Sequence, residues 1–146
     1  MCICGKGEHE AVLPHHHGSD QGSRALQFTD DATDFVRDAK IEDGLLTCFV
    51  RHTSASLLIQ ENADPDVQKD LQDFFAWLAT NGPHFRHTTE GPDDMPSHIR
   101  SALTQVSLGI PLHKGRMALG TWQGLYVFEH RDAPHRREVT LHVIGE

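Results

Sequence analysis

The chain has few cysteines, few basic residues and no long apolar run, and each shortage excludes a class of protein. Three cysteines, two of them crowded at the start, do not make a disulfide framework. No apolar run approaches the roughly 18 residues of a membrane span, and no signal-peptide core follows the N-terminus. Thirteen basic and 21 acidic residues give a net charge of −8, which argues against nucleic-acid binding. We therefore expect a cytoplasmic protein that contacts neither a membrane nor nucleic acid.

Histidine is the residue in excess, with 12 in a chain of 146. The length suits one domain and is too short for a (β/α)₈ barrel of about 250 residues. Residues 1–22 are rich in Gly, His, Ser and charge, and we predict that they form a flexible leader. Residues 23–146 are predicted to form the single folded domain. The leader holds four of the histidines, so any signal for chemistry must come from the other eight.

Hydrophobic periodicity and capping residues predict six strands and three helices. The strands are expected at 24–28, 45–50, 56–60, 116–119, 121–129 and 138–144, and the helices at 31–41, from Pro65 onward and from Pro96 onward. Strands and helices alternate without a strict βαβ rhythm. This pattern predicts an α+β fold, with a largely antiparallel sheet or sandwich and a few packed helices.

The last two helices carry apolar stripes that we expect to be buried. Asp64 suits the N-cap of the first of them, and Pro65 suits its first turn. The stripe of this helix comprises Val67, Leu71, Phe74, Phe75 and Leu78. The inward residues of the helix from Pro96 are predicted to be Ile99, Leu103 and Val106. Cys48, within an apolar strand, is predicted to be a buried reduced thiol.

Three histidines from separate segments could form a metal site. His52 follows a buried strand, His87 lies in a long loop, and His98 lies near the start of a helix. Imidazole nitrogens are ligands that zinc and other borderline divalent metals accept. Proton transfer is the alternative use, because histidine titrates near neutral pH.

Other polar side chains near these segments are not needed for the core. Thr53 and Ser54 follow His52 and suit either a ligand site or a turn, and Glu61 and Asn62 precede a helix start, where anions are favoured. Asp70 by itself suits a solvated helix face. The glycine-flanked unit Thr121–Gln123 offers a flat apolar ring and an amide, although Trp122 could equally fill the core. Arg131 could hold an anion or lie at the rim.

The order and separation of these motifs resemble the YjbQ family, whose members are often described as secondary thiamine-phosphate synthases. The resemblance covers 26–145 and rests on four segments: His52-Thr53-Ser54-Ala55, Glu61 to Val67 with Asp70-Leu71, His87 leading to His98, and Gly115 to Gln123. It implies an α+β trimer with sites near subunit contacts and a pocket whose histidines can hold a metal ion.

The resemblance also implies an activity. That activity is a weak condensation of a hydroxymethylpyrimidine diphosphate with a thiazole phosphate. The alternatives are a non-catalytic trimer that binds a small ligand or a metal, and a metal-dependent phosphate-ester hydrolase. The expected cofactor is a divalent metal, zinc or else magnesium with a diphosphate substrate, and the expected substrate is a small phosphorylated molecule.

The predicted site then has three groups of residues. The catalytic candidates are Glu61, Asp70 and Gln123; the ligand-binding candidates are Thr53, Ser54, Asn62, Thr121, Trp122 and Arg131; the metal candidates are His52, His87 and His98. Two segments beside this site, Pro92–Ser97 and Glu129–Pro134, depart from the sequence pattern that is common in the family.

Overall fold

Two antiparallel sheets and three helices make up the part of the protein that the structure describes. The computed structural model describes the backbone of residues 7–16 and 24, and both backbone and side chains of residues 25–80, 82 and 84–146. The strands are β1 Gly7–His16, β2 Arg24–Gln27, β3 Gly44–Val50, β4 Ala55–Glu61, β5 Ser107–His113, β6 Arg116–Met117, β7 Gln123–Glu129 and β8 Arg136–Gly145; the helices are α1 Thr29–Ala39, α2 Pro65–Leu78 and α3 Asp94–Leu103.

The strand order is β1-β8-β3-β5-β6 in the larger sheet and β2-β7-β4 in the smaller one. Neighbouring strands in both sheets run antiparallel. The inward faces of both sheets and of α1 meet in one apolar core, which includes Phe28, Leu46, Leu57, Leu125 and Leu141. The predicted α+β fold with antiparallel sheets is therefore confirmed. None of the helices in the described part of the chain is long and apolar enough to cross a membrane.

The predicted leader differs from the structure over Gly7–His16, which form β1. This strand pairs with β8 over its whole length, from Gly7 opposite Gly145 to His16 opposite Arg136. Without β1, the outer edge of β8 would present a row of unpaired backbone groups, and an extended segment satisfies them whatever its side chains. Leader residues 1–6 and 17–22 lie outside the described residues.

Strand β5 was not predicted, because its pattern is interrupted by residues that are rare in strands. Leu108, Ile110 and Leu112 are buried and alternate with exposed residues. Two of the exposed residues are Gly109 and Pro111, which normally argue against a strand. The proline is tolerated here, and the alternation decides the conformation.

The burial of α2 and α3 differs from the prediction. Asp64 caps α2 as expected, since its side chain accepts a hydrogen bond from the backbone of Asp66. No residue of α2 is buried, however, and Phe74 and Leu78 are 51% and 45% exposed. On α3, Leu103 is 58% exposed, and the buried face consists of Asp94, Pro96, Ser97, Arg100 and Ser101.

The serine and arginine side chains on the buried face of α3 donate to backbone carbonyls. Ser97 Oγ donates to the carbonyl of His130 at 2.7 Å, and Ser101 Oγ donates to that of Ala55 at 3.1 Å. Arg100 donates to the carbonyls of Phe75 and Ala79. Because these buried donors have hydrogen-bond partners, they can be buried without a large desolvation cost. The spacing of apolar residues therefore does not predict that this face is buried.

Candidate functional site

The predicted site residues lie at opposite ends of the β4–β7 pair. In this pair Ala55 is opposite Glu129, and Glu61 is opposite Gln123. One end, called here the histidine end, holds His52, Thr53, Ser54, His87, His98 and Arg131. The other, called the tryptophan end, holds Glu61, Asn62, Thr121, Trp122 and Gln123. A strand of seven residues separates them by about 20 Å within one chain.

Three side chains at the histidine end bring potential metal-ligand atoms close together. His87 Nε2 lies 2.6 Å from Asp94 Oδ2, and His98 Nε2 lies 3.5 Å from the same oxygen. One ligand atom from each residue falls within 4.8 Å of the other two. Asp94 and His98 are one helical turn apart on α3, while the loop before α3 supplies His87. Two imidazoles and one carboxylate form a ligand set that zinc and other borderline divalent metals accept.

The orientation of His98 is fixed by the backbone of Thr53. His98 Nδ1 lies 3.0 Å from the Thr53 carbonyl oxygen, which can only accept, so Nδ1 carries the proton and donates it. In the neutral ring the other nitrogen, Nε2, then carries the lone pair, and this nitrogen faces Asp94 Oδ2. A hydrogen bond from the non-ligating nitrogen to a backbone carbonyl is a common support of metal-binding histidines.

Asp94 is a buried carboxylate held by Arg131. Asp94 is 1% exposed. Arg131 Nη1 donates to its Oδ1 at 2.5 Å, which leaves Oδ2 toward the two histidines. Arg131 also donates to Asp93 Oδ2 at 2.8 Å and to the carbonyl of Glu90 at 2.7 Å. Its guanidinium is therefore engaged within the chain, and the structure gives it a supporting role in place of the predicted contact with a ligand.

The two segments that depart from the family pattern contact each other. Asp93 receives hydrogen bonds from Arg131 and from the backbone of Asp132. Burial alone would raise the pKa of Asp93, but these hydrogen bonds and the charge of Arg131 lower it below its usual value. The departures thus form one connected support for the start of α3, which carries Asp94.

His52 does not join the three-residue cluster. Its Nε2 accepts a hydrogen bond from the backbone N–H of Glu138 at 2.9 Å. Burial, followed by the charge of Arg137, lowers the pKa of His52, in agreement with a neutral ring that accepts this bond. Asp94 is the third member of the cluster, the role that the sequence analysis assigned to His52. The spacing Asp94-x-x-x-His98, one turn of a helix, was the signal that could have identified it.

A groove opens beside His98. Its volume is about 840 Å³, and its lining includes Phe49, Arg51, His52, Thr53 and Val106. Arg51 is exposed, and its guanidinium makes no hydrogen bond or ion pair to a residue that the structure describes. The groove is thus lined by the Arg51 guanidinium, the Thr53 hydroxyl and His98 of the cluster.

A buried polar layer supports the histidine end from below. Glu129, which is 0% exposed, accepts hydrogen bonds from Nε and Nη2 of Arg137, both at 2.6 Å. Arg137 Nη2 also donates to the carbonyl and hydroxyl oxygens of Ser54. Ser54, predicted to bind a ligand, is therefore tied to this layer.

His130 belongs to the same buried layer. It pairs with Ser56 Oγ through Nε2 at 2.9 Å, while its Nδ1 has no hydrogen-bond partner among the described residues. Burial, followed by the charges of Arg100 and Arg137, lowers the pKa of His130 to about 3. The ring is therefore neutral at physiological pH.

The tryptophan end is polar and open. The backbone N–H of Asn62 donates to the carbonyl of Trp122 at 2.9 Å, and the Trp122 ring is 64% exposed. Trp122 therefore does not fill the core. Gln123 accepts a hydrogen bond from the backbone of Gly120 at 2.8 Å. Asp70 lies on the exposed surface of α2.

Comparison with known proteins relates this chain to one protein family. The family described as "UPF0047 protein YjbQ-like" matches residues 16–146. A UPF0047 protein of Synechocystis is 56% identical over 127 residues, which cover 86% of this chain and 86% of the relative. The YjbQ protein of Escherichia coli O157:H7 is 41% identical over 119 residues, with 81% and 86% covered.

Solved structures agree with the fold. A hypothetical protein of Aeropyrum pernix matches with a TM-score of 0.85 and 26% identity, over 94% of this chain and 99% of that one. A Sulfolobus solfataricus protein matches with a TM-score of 0.83 and 18% identity, over 95% and 99%.

The names of these proteins overturn the predicted activity. The Synechocystis and E. coli relatives are named only as UPF0047 or YjbQ proteins, and the Sulfolobus structure is described as a protein of unknown function. None of the names indicates a thiamine-phosphate synthase. That prediction was wrong because the activity was inferred from a description of the family, and no residue of this chain carried it.

Proposed function

The chain belongs to the UPF0047 (YjbQ-like) family, whose named members supply no activity to transfer, and we therefore propose a function from the site itself: the protein holds a divalent metal ion at His87, Asp94 and His98. The proposal rests on the convergence of the three ligand atoms within 4.8 Å. Two imidazoles favour zinc over magnesium, which prefers oxygen ligands.

The surrounding residues fit this role. The Thr53 carbonyl fixes the His98 ring with Nε2 free, and Arg131 neutralises one oxygen of Asp94 while the other faces the histidines. A bound divalent ion would leave coordination positions for a small molecule or water, which it could polarise. The groove beside His98 is where such a molecule would enter.

We propose a small phosphorylated molecule as the occupant of this groove. The supporting observation is the free guanidinium of Arg51 beside the hydroxyl of Thr53, in the same opening as His98. Arginine suits phosphate because its fork of donors matches the oxygens. Titration of zinc-loaded protein with inorganic phosphate tests this, and Arg51→Gln is expected to weaken binding. Equal binding by the variant would remove Arg51 from the site.

Zinc titration of chelator-treated protein by calorimetry tests the metal site. In the full chain, His98→Ala and Asp94→Asn are each expected to bind one zinc ion fewer per chain than the wild type. His113→Ala is the matched control, because His113 also pairs with an aspartate, Asp43 at 2.7 Å, but is not part of the cluster. The N-terminal histidines are present in every variant, so the lost site is counted against a constant background.

Two results decide the outcome of this titration. Loss of the same site in His113→Ala would show that zinc binds to histidines in general. Unchanged stoichiometry and affinity in both His98→Ala and Asp94→Asn would show that the cluster holds no metal, and the proposed function would fall.

We further propose that the protein is a homotrimer. Large apolar side chains are exposed on one chain: Phe74, Trp77, Leu78, Leu103 and Trp122. The two polar ends lie about 20 Å apart within a chain, so contact between the tryptophan end of one copy and the histidine end of the next would unite the predicted residues. An interface between unlike ends is head-to-tail, and such contacts close into a ring of three when each copy is rotated by a third of a turn from the last.

Native mass spectrometry tests the assembly. The wild type is expected at the mass of three chains, and Trp77→Lys and Trp122→Lys are expected to shift it toward the monomer. Asp38→Lys, at an exposed position near the end of α1, is the control and should stay trimeric. A monomeric wild type at micromolar concentration, or variants that remain trimeric, would contradict the proposal.

A further inference from the structure

A second cavity lies at the tryptophan end, between α1 and the β5–β6 hairpin. Its volume is about 520 Å³, and its lining includes Val36 and Arg37 of α1, Arg116 and Met117 of β6, and Gln123 of β7. Gln123 begins β7, whereas Glu129 ends it beside the histidine end. Within one chain the cavity is thus separate from the metal site, and its volume is within the about 300–1,000 Å³ of small-molecule sites.

The polar groups available in this cavity are donors. The Arg116 guanidinium makes no hydrogen bond or ion pair within the described part of the chain. Gln123 Oε1 accepts from the backbone of Gly120 at 2.8 Å, so its Nε2 is left to donate. Arg37 is already paired with Asp34 at 2.7 Å. The lining therefore offers one unpaired cation and one amide donor, and a ligand that contacts them must accept hydrogen bonds.

The threonines of this cavity complete its wall and are already engaged. Thr33 Oγ1 donates to the carbonyl of Thr29 at 2.8 Å, and Thr29 Oγ1 accepts from the backbone of Leu125 at 2.8 Å. The remaining lining is apolar and includes Val36, which is 2% exposed, and Met117. A fitting ligand has an apolar body beside its acceptor group.

The charge of the ligand is limited by an acidic group at the rim. If Gly115 carried a Cβ atom, that atom would lie 3.8 Å from Glu42 Oε1. The Glu42 carboxylate therefore lies beside this part of the lining. Repulsion by Glu42 disfavours a second negative charge, and Arg116 compensates one. A monoanion is therefore favoured over a dianion.

We propose that this cavity binds a small monocarboxylate with an apolar body. The carboxylate accepts hydrogen bonds from the Arg116 guanidinium, which matches its two oxygens, and from Gln123 Nε2. The apolar body lies against Val36 and Met117. Nothing in this assignment depends on metal binding at the histidine end, so the two sites can be tested separately.

Amide chemical-shift titration of the full chain with benzoate tests the proposal. Saturable shifts are expected in residues 33–37, 115–119 and 123. Arg116→Gln is expected to weaken benzoate binding at least tenfold, and Arg136→Gln, which changes another exposed arginine in the same way, should bind as the wild type does. Benzyl alcohol tests the need for charge and phenyl phosphate tests the preference for a monoanion; both are expected to bind more weakly than benzoate.

Several results would overturn the proposal. They are the absence of saturable shifts, shifts confined to 51–54 and 98–102, and equal losses in Arg116→Gln and Arg136→Gln. Tighter binding of phenyl phosphate than of benzoate would reject the monocarboxylate class. Because Arg116 is exposed, its substitution leaves the core intact and a loss of binding is not a loss of folding.

Discussion

Replacing Arg137 by methionine is expected to destabilise the fold by about 3–5 kcal/mol, the usual cost of breaking a buried ion pair. Arg137 donates two hydrogen bonds of 2.6 Å to Glu129, whose side chain is 0% exposed. A hydrogen bond to a charged group contributes about 1.5–3 kcal/mol, so two such bonds give a similar loss. The variant removes the counter-charge that Arg137 supplies to the buried Glu129 carboxylate.

The expected loss can be measured by urea denaturation followed by circular dichroism. For a slope of about 2–3 kcal/mol per molar urea, the midpoint should fall by about 1–2.5 M. Glu129→Gln alone should also be costly, because it leaves Arg137 buried and uncompensated. The double variant, Glu129→Gln with Arg137→Met, should be more stable than the sum of the single losses predicts, since neither charge remains.

Two results would refute this reasoning. A loss below about 1 kcal/mol for Arg137→Met would mean that the pair contributes no more than a surface ion pair. Additive losses in the double variant would mean that the two charges do not depend on each other. Since Arg137 also holds Ser54, the same variant is expected to loosen the segment that positions His98 through Thr53.

Three further predictions concern stability and reactivity. As the pH falls below 6.5, the unfolded state gains a proton at His130 that the folded state accepts only near pH 3, so the stability should fall with a slope that approaches about 1.4 kcal/mol per pH unit from this group. His130→Gln should give a flatter profile in urea melts, and equal slopes would contradict this. Burial raises the pKa of Cys48 to about 12, so iodoacetamide should modify it, in peptide mass maps, only after unfolding; native labelling would count against it. Asp64→Ala should cost about 1 kcal/mol through loss of the α2 cap, measured by thermal melting, and no change would show that the cap is dispensable.

The α+β fold and most of its elements could be predicted because local patterns encode them. The Asp64 cap and the apolar runs of β3 and β7 are local, and so is the expected burial of Cys48, which is 0% exposed. The pairing of β1 is not local, because it depends on the open edge of β8. From its polar composition alone, that segment was predicted to lie outside the folded domain.

The candidate site was predicted only in part, and for a different reason. Sequence motifs gave the residues but not the antiparallel register that places Glu61 and Gln123 a strand length away from Arg131. The buried polar face of α3 also escaped the prediction, because hydrogen bonds to backbone carbonyls, not hydrophobicity, hold it inside. Asp94 lies on that face, and it was therefore not selected.

Anomalous diffraction at the zinc edge, from crystals of the zinc-loaded protein, tests the metal centre most directly. The account predicts one strong peak within about 2.0–2.2 Å of His87 Nε2, an oxygen of Asp94 and His98 Nε2. Peaks only at other histidines, such as His113 beside Asp43, or an empty cluster in zinc-saturated crystals, would contradict the account.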